Sequence, residues 1–201
     1  MRIYLLRHGA TQGNLEQRYV GRTDEPLCEQ GRLPAQRLGK RLEGEQIEAV
    51  LTSPLLRCRQ TAALLFPGKT IALIDGLEEC DFGEFEYKNY EELAANEAYQ
   101  RWLDAGGTTG FPGGESRDAF IFRCADAFQK SVEALEERGV KTAAYVVHGG
   151  TIMAVLSRFA RPEEDYFHWQ VGACGGFLVE TVGTGLRDGC RVLQKLEGER
   201  A

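Results

Sequence analysis

The sequence contains no compact metal-ligating pattern. It has neither an H-E-x-x-H nor a C-x-x-C, and its six cysteines, at 28, 58, 80, 124, 174 and 190, are scattered. That spacing suits neither a zinc site nor a disulfide framework. A chain of 201 residues buries a core without covalent staples, so the thiols are expected to be reduced. No apolar run approaches the ~20 residues that a bilayer-crossing helix needs. The opening Ile3-Tyr4-Leu5-Leu6 meets Arg7 and His8 at once, too short and polar for a secretion signal, and a cytoplasmic location is the simplest expectation. Positive charge is in deficit: 24 Lys and Arg against 30 Asp and Glu leave a net charge of −6, which argues against nucleic acid as a partner. An anionic small substrate would need a locally basic pocket. Signatures of other catalytic classes are missing too. There is no G-x-S-x-G elbow, no cysteine with arginine six places on, and Gly68-Lys69-Thr70 lacks the upstream glycine of a P-loop, where Ala63 stands.

What is present reads as a folded α/β domain. Hydrophobic residues at 43% and charged residues at 27% are ordinary for a globular chain and argue against disorder. Apolar runs at 2–7, 49–52, 70–74, 142–147, 177–182 and 191–196 predict strands. Helices are expected over 32–45, 55–66, 90–103, 116–138 and 151–159. In the segment 116–138, Ile121, Ala125, Phe128, Val132 and Leu135 step by three and four; Ser116 can cap its start and Gly139 can end it. Strands alternating with helices imply a three-layer α/β/α sandwich around a central, mostly parallel sheet. Residues 1–201 are expected to form a single domain, with a lid or insertion at about 77–115 that includes a glycine-rich turn at 106–110. The connections 9–31 and 77–115 are long, and long excursions usually carry function.

His8 and His148, two of only three histidines, share one setting: each follows an apolar strand directly and precedes glycine. Open α/β sheets bind ligands beyond the carboxyl ends of their strands. One histidine there is as readily structural, but two in matching places point to a shared site. Arg7 precedes His8, and Arg57 and Arg59 open the helix after Ser53-Pro54. An arginine fork matches a phosphate bidentately. Glycine at 9 and 149 lets a ligand approach the backbone and leaves amides to face an anion. Gln12 and Asn14 offer further neutral donors. The run Leu77 to Glu86 is acidic but carries Phe82 and Phe85 as anchors. A carboxyl held there in a partly apolar pocket would have a raised pKa and donate a proton near neutrality. His168 is expected to pack beside Trp169 rather than touch a substrate.

These residues are recognisable together. Leu6-Arg7-His8-Gly9-Ala10-Thr11 with Asn14 resembles the signature of the histidine phosphatase superfamily, which includes the phosphoglycerate mutases. In register with it, Tyr19 to Leu27 looks like the family's substrate loop and Ser53 to Arg57 like its second arginine motif. Leu77 to Gly83 is similar to the acid-bearing segment, where alignment on Phe82-Gly83 selects Glu79, and Val146 to Gly150 supplies the second histidine. The resemblance implies a phosphoglycerate mutase-like fold acting on a phosphomonoester, with no metal and no organic cofactor. It implies that His8 is the nucleophile and Glu79 the proton donor. Arg7, Arg57, His148 and Asn14 would hold the phosphoryl oxygens, helped by backbone at Gly9, Gly21 and Gly149. Tyr87 departs from the pattern, standing where glycine usually follows Glu86.

The chain is short and lacks the proline-rich stretch that the family's mutases carry after the acid, which favours a hydrolase. Among the family's phosphatases it is most similar to the α-ribazole phosphatases of cobalamin assembly, in length and in Phe167-His168-Trp169-Gln170-Val171. A phosphoglycerate mutase is the alternative. A catalytically inactive binding module is the third reading, opposed by the presence of Arg7, His8, Arg57, Glu79 and His148. The expected partner is a small phosphomonoester, with no nucleic acid and no membrane. The protein would be a monomer, or a homodimer paired near residues 172–196.

Overall fold

The computed structural model describes residues 1–107 and 109–198; Thr108 of the glycine-rich turn and residues 199–201 lie outside the described residues. Six strands form one sheet in the order β3-β2-β4-β1-β5-β6. β1 (Arg2–Arg7) and β4 (Thr142–Val147) run parallel at its centre. β2 (Ala49–Thr52) and β3 (Ile71–Leu73) extend the parallel half. β5 (Gly176–Thr181) and β6 (Cys190–Leu196) add an antiparallel edge beside β1. The sheet is mixed but mostly parallel, as expected.

The central strands are buried on both faces, which is why they read as continuous apolar runs rather than alternating ones. Their side chains nevertheless divide by the two-residue period of a strand. Ile3 and Leu5 pack with α6 (Arg117–Glu137) and α7 (Gly149–Phe159), through Phe128, Val132, Ile152 and Leu156. Tyr4 and Leu6 face α2 (Glu29–Leu42) and α3 (Leu56–Leu65), through Leu38, Ala62 and Leu65. These two cores give the three layers.

Local signals account for most boundaries. Ser116 Oγ accepts the amide of Ala119 at 3.2 Å, starting α6 within a residue of expectation. The helix expected over 90–103 is instead two, α4 (Tyr90–Leu93) and α5 (Glu97–Asp104). Asn89 and Asn96 each cap a fresh start, their side chains accepting the amides of Glu92 and Tyr99. A single turn, α1 (Gln12–Leu15), interrupts the loop after β1, closed by a capping box between Thr11 and Asn14.

Residues 77–115 build a small separate core together with Tyr19 of the loop after β1. Phe85, Leu93 and Tyr99 are buried there against Tyr19, Phe82 and Trp102. Arg123 of α6 fastens both ends of this segment. It donates to the carbonyls of Gly76, Glu78 and Glu79 at one end, and to both oxygens of Glu115 at 2.7 Å at the other.

Candidate active site

Because β1 and β4 are neighbours in register, with Arg7 opposite Val147, the residues that follow them emerge side by side. His8 and His148 are both buried, their ring centroids 5.2 Å apart and their planes edge to face. His8 Nδ1 lies 2.7 Å from the carbonyl oxygen of Gly9. A carbonyl only accepts, so Nδ1 carries the hydrogen and the neutral ring presents its lone pair on Nε2. Burial, and then the charges of Arg57 and Arg7, hold His8 well below its ordinary pKa of 6.5. His148 is depressed in the same way, by burial first and then by Arg57 and His8. Its Nδ1 accepts from Arg57 Nε at 3.2 Å, which places its hydrogen on Nε2, 2.8 Å from Ser53 Oγ.

The arginines divide the work. Arg57, in the first turn of α3, is fully buried, while Arg59 two residues on is exposed. Arg57 also donates to the carbonyls of Val20, Gly21 and Thr23, gripping the loop that carries them. Arg7 donates through Nη1 to Val171 O at 2.8 Å, and its Nε is buried with no partner among the described residues. A buried, unmatched guanidinium N–H is costly unless an anion completes it. Gly149 opens α7 against this group, where an added Cβ would sit 3.4 Å from Arg7 Nε.

Three carboxylates of the acidic run take different partners. Glu78 pairs with Arg123 at 3.4 Å and Arg22 at 3.7 Å, and Asp81 accepts the amide of Gly83. Glu79 turns inward and accepts the amides of Gly150 and Cys80, each at 2.9 Å. Burial raises the Glu79 pKa against the opposing pull of those two amides and of Arg57 and Arg7. A cavity of about 280 Å³ opens beside Arg7, Glu79 and the start of α7. Arg7, His8, Arg57, Glu79 and His148 are thus gathered at one end of the sheet.

Other expected contributors lie elsewhere or are otherwise engaged. The amide of Gly9 donates to Thr61 Oγ1 at 3.0 Å, and that of Gly21 to Glu86 Oε1 at 2.9 Å, so neither is presented to an anion. Close packing is the reason for glycine at both. A Cβ on Gly9 would sit 2.5 Å from Gly31 O, and one on Gly21 would run into the carbonyl of Cys80. Asn14 Oδ1 accepts the amide of Thr11 in the capping box. Gln12 is exposed and hydrogen bonds to Glu16. His168 is half exposed, 4.7 Å from Trp169 ring to ring.

Three participants escaped the sequence reading. Ser53 orients His148, and Arg123 holds the backbone of Glu79. Glu86 Oε1 accepts the amides of Gly21 and Thr23, whose carbonyls Arg57 takes, so these loop peptides are held between a carboxylate and a guanidinium. Ser53 left a trace as the residue opening Ser53-Pro54 before the arginine helix, and Glu86 only as the end of the acidic run.

Known proteins resemble the chain along most of its length. It is 30% identical over 205 residues to "Probable phosphoglycerate mutase GpmB" of Photorhabdus laumondii, covering 91% of this chain and 93% of that one. It is 29% identical to the adenosylcobalamin/alpha-ribazole phosphatase of Escherichia coli strain K12, covering 85% of each. The crystal structure of the alpha-ribazole phosphatase from Shigella flexneri superposes with a TM-score of 0.85 at 25% identity, covering 100% of this chain and 98% of that one. Residues 3–187 match the sequence profile of the histidine phosphatase superfamily (branch 1), and the chain belongs to that family.

Proposed function

We propose that the protein is a phosphomonoester hydrolase working through a phosphohistidine on His8. The observation that carries this reading is the 2.7 Å hydrogen bond from His8 Nδ1 to Gly9 O, which fixes the tautomer with Nε2 as the nucleophile. Nε2 attacks phosphorus in line, a P–N bond forms, and the ester P–O bond breaks. Glu79, whose raised pKa favours its protonated form, gives its proton to the leaving oxygen. The resulting carboxylate then takes a proton from water, which attacks phosphorus and releases phosphate and neutral His8. Arg7, with its unmatched Nε, meets the equatorial oxygens, where transition-state charge lies. Arg57 adds a second positive charge and the neutral His148 stands beside it; bringing Arg57 onto phosphate would exchange one of its loop carbonyls for an oxyanion. Gly149, packed against Arg7 Nε, borders the phosphate position. Residues 1–201 act as one domain, with 77–115 as its lid.

Incubation with a good phosphodonor should label the protein with an acid-labile phosphate, and His8→Ala should abolish the label. Labelling that survives the substitution would sink the assignment.

The relatives carry both hydrolase and mutase names, so the mutase reading is kept. Phosphate release measured against 2-/3-phosphoglycerate interconversion separates the two. Alpha-ribazole 5′-phosphate, in cobalamin biosynthesis, is the candidate substrate suggested by the phosphatase relatives. A rate no better on it than on generic esters would count against it. Six free thiols, five of them buried, fit a reducing compartment such as the cytoplasm.

A further inference from the structure

We propose that the cavity beside Arg7 and Glu79 takes the alcohol part of the ester and selects a bulky apolar one bearing a flat ring. This rests on the hydrolase reading above. The cavity begins where the ester oxygen would stand, since Arg7, Glu79, Gly149 and Gly150 all border it. Its walls are aromatic and aliphatic. Phe82, Trp102 and Phe111 come from residues 77–115, and Phe120, Met153 and Tyr166 from the body of the domain.

The ring wall is preorganised. Phe82 and Phe111 meet edge to face at 5.0 Å, and Trp102 lies 5.2 Å from Phe111. A rigid apolar slot rewards a ligand that fills it and stacks on it. Charged groups are few. Apart from Arg7 and Glu79, Arg117 is the charged side chain bordering the cavity among the described residues, and its guanidinium lies over the Tyr166 ring at 4.4 Å and near that of Phe167 at 5.4 Å. A cation held on ring faces is already partly satisfied. A three-carbon carboxylate alcohol would leave most of these walls without contact, whereas a ring seated in the cavity would cover them. Binding of that remote ring then lowers the barrier at phosphorus.

The test compares kcat/KM for 3-phenylpropyl phosphate, propyl phosphate and 3-phosphoglycerate. The first two share a primary alcohol, so leaving-group chemistry is constant between them. Burial of the phenyl ring should favour the first over the second by roughly tenfold or more. Trp102→Ala, which removes a ring of the lining, and Met153→Trp, which adds bulk at a lining position on α7, should each compress that ratio. The second variant serves if the first fails to fold. Equal turnover of the two alkyl esters, or a ratio unmoved in a folded variant, would overturn the proposal and leave the phosphohistidine intact. Turnover of none of the esters, with 3-phosphoglycerate isomerised, would overturn the hydrolase reading and this proposal with it.

Discussion

The proposed mechanism needs His8 unprotonated and Glu79 protonated, and both states are favoured by the same burial. Desolvation disfavours charge, which keeps an imidazole neutral and a carboxyl protonated. The pKa of His8 is therefore pushed down and that of Glu79 up, the pairing that a nucleophile and its proton donor require. Glu79→Gln should slow turnover by roughly 10²–10⁴-fold in steady-state assays, because the leaving oxygen then departs unprotonated. A near-normal rate would move the role to Glu78 or Asp81, both of which hold other partners in this fold. Tyr87 shows how a departure is accommodated. Its φ of 59° lies in the left-handed region that favours glycine. Its hydroxyl donates to Glu25 at 3.1 Å and its ring lies under Arg18 at 5.3 Å, contacts that glycine would lack. At this scale the strand-end residues are legible, because position after an apolar run is a local signal. The amides of Gly9 and Gly21 are not, because what takes them is Thr61 and Glu86, distant in the chain.

Among the elements, one side chain of α6 fastens both ends of residues 77–115. Arg123 is about one-fifth exposed, as is Glu115, so their 2.7 Å pair is largely removed from water. Removing one partner from such a pair typically costs about 3–5 kcal/mol, since the other charge is left uncompensated. Arg123→Ala should lower the free energy of unfolding by about that amount in urea titrations, and should speed proteolytic cleavage within 77–115. A loss below about 1 kcal/mol would mean that the aromatic cluster alone holds the segment. Elements with one strong period were readable: the stripe of α6 and the strand at 49–52 appear where expected. The broken helix at 90–104 was not, because apolar spacing continues across Ala94 to Asn96 while two asparagine caps restart the backbone. Nor could the sequence reveal that one arginine in α6 ties together Gly76 and Glu115.

For the whole molecule, two buried neutral histidines make stability depend on pH. Unfolded histidine titrates near 6.5, whereas His8 and His148 in the folded protein titrate well below it. Between those values the unfolded chain binds more protons, so stability is full above pH 6.5 and falls as pH drops, by roughly 1.4 kcal/mol per unit and per histidine. Glu79 works in the opposite sense, since its folded pKa is raised and the folded state holds the extra proton above pH 4.5. The net effect between pH 6.5 and 5.5 is a loss, and it should be steeper in Glu79→Gln. Denaturation of Glu79→Gln at pH 7.5 and 5.5 checks this, since the opposing carboxyl is then gone; equal stabilities would contradict neutral imidazoles.

The strand order also sets a timetable. β1 emerges from the ribosome first, yet its neighbours on either side are β4 and β5, and Arg2 waits for Thr142 before it is paired. Throughout most of translation Ile3 to Leu6 is therefore an apolar ribbon with both edges open, the kind of segment that invites aggregation or a chaperone. The two histidines cannot meet until the nascent chain has passed Gly149. A stalled or truncated product would carry Arg7, His8, Arg57 and Glu79 without His148 beside them.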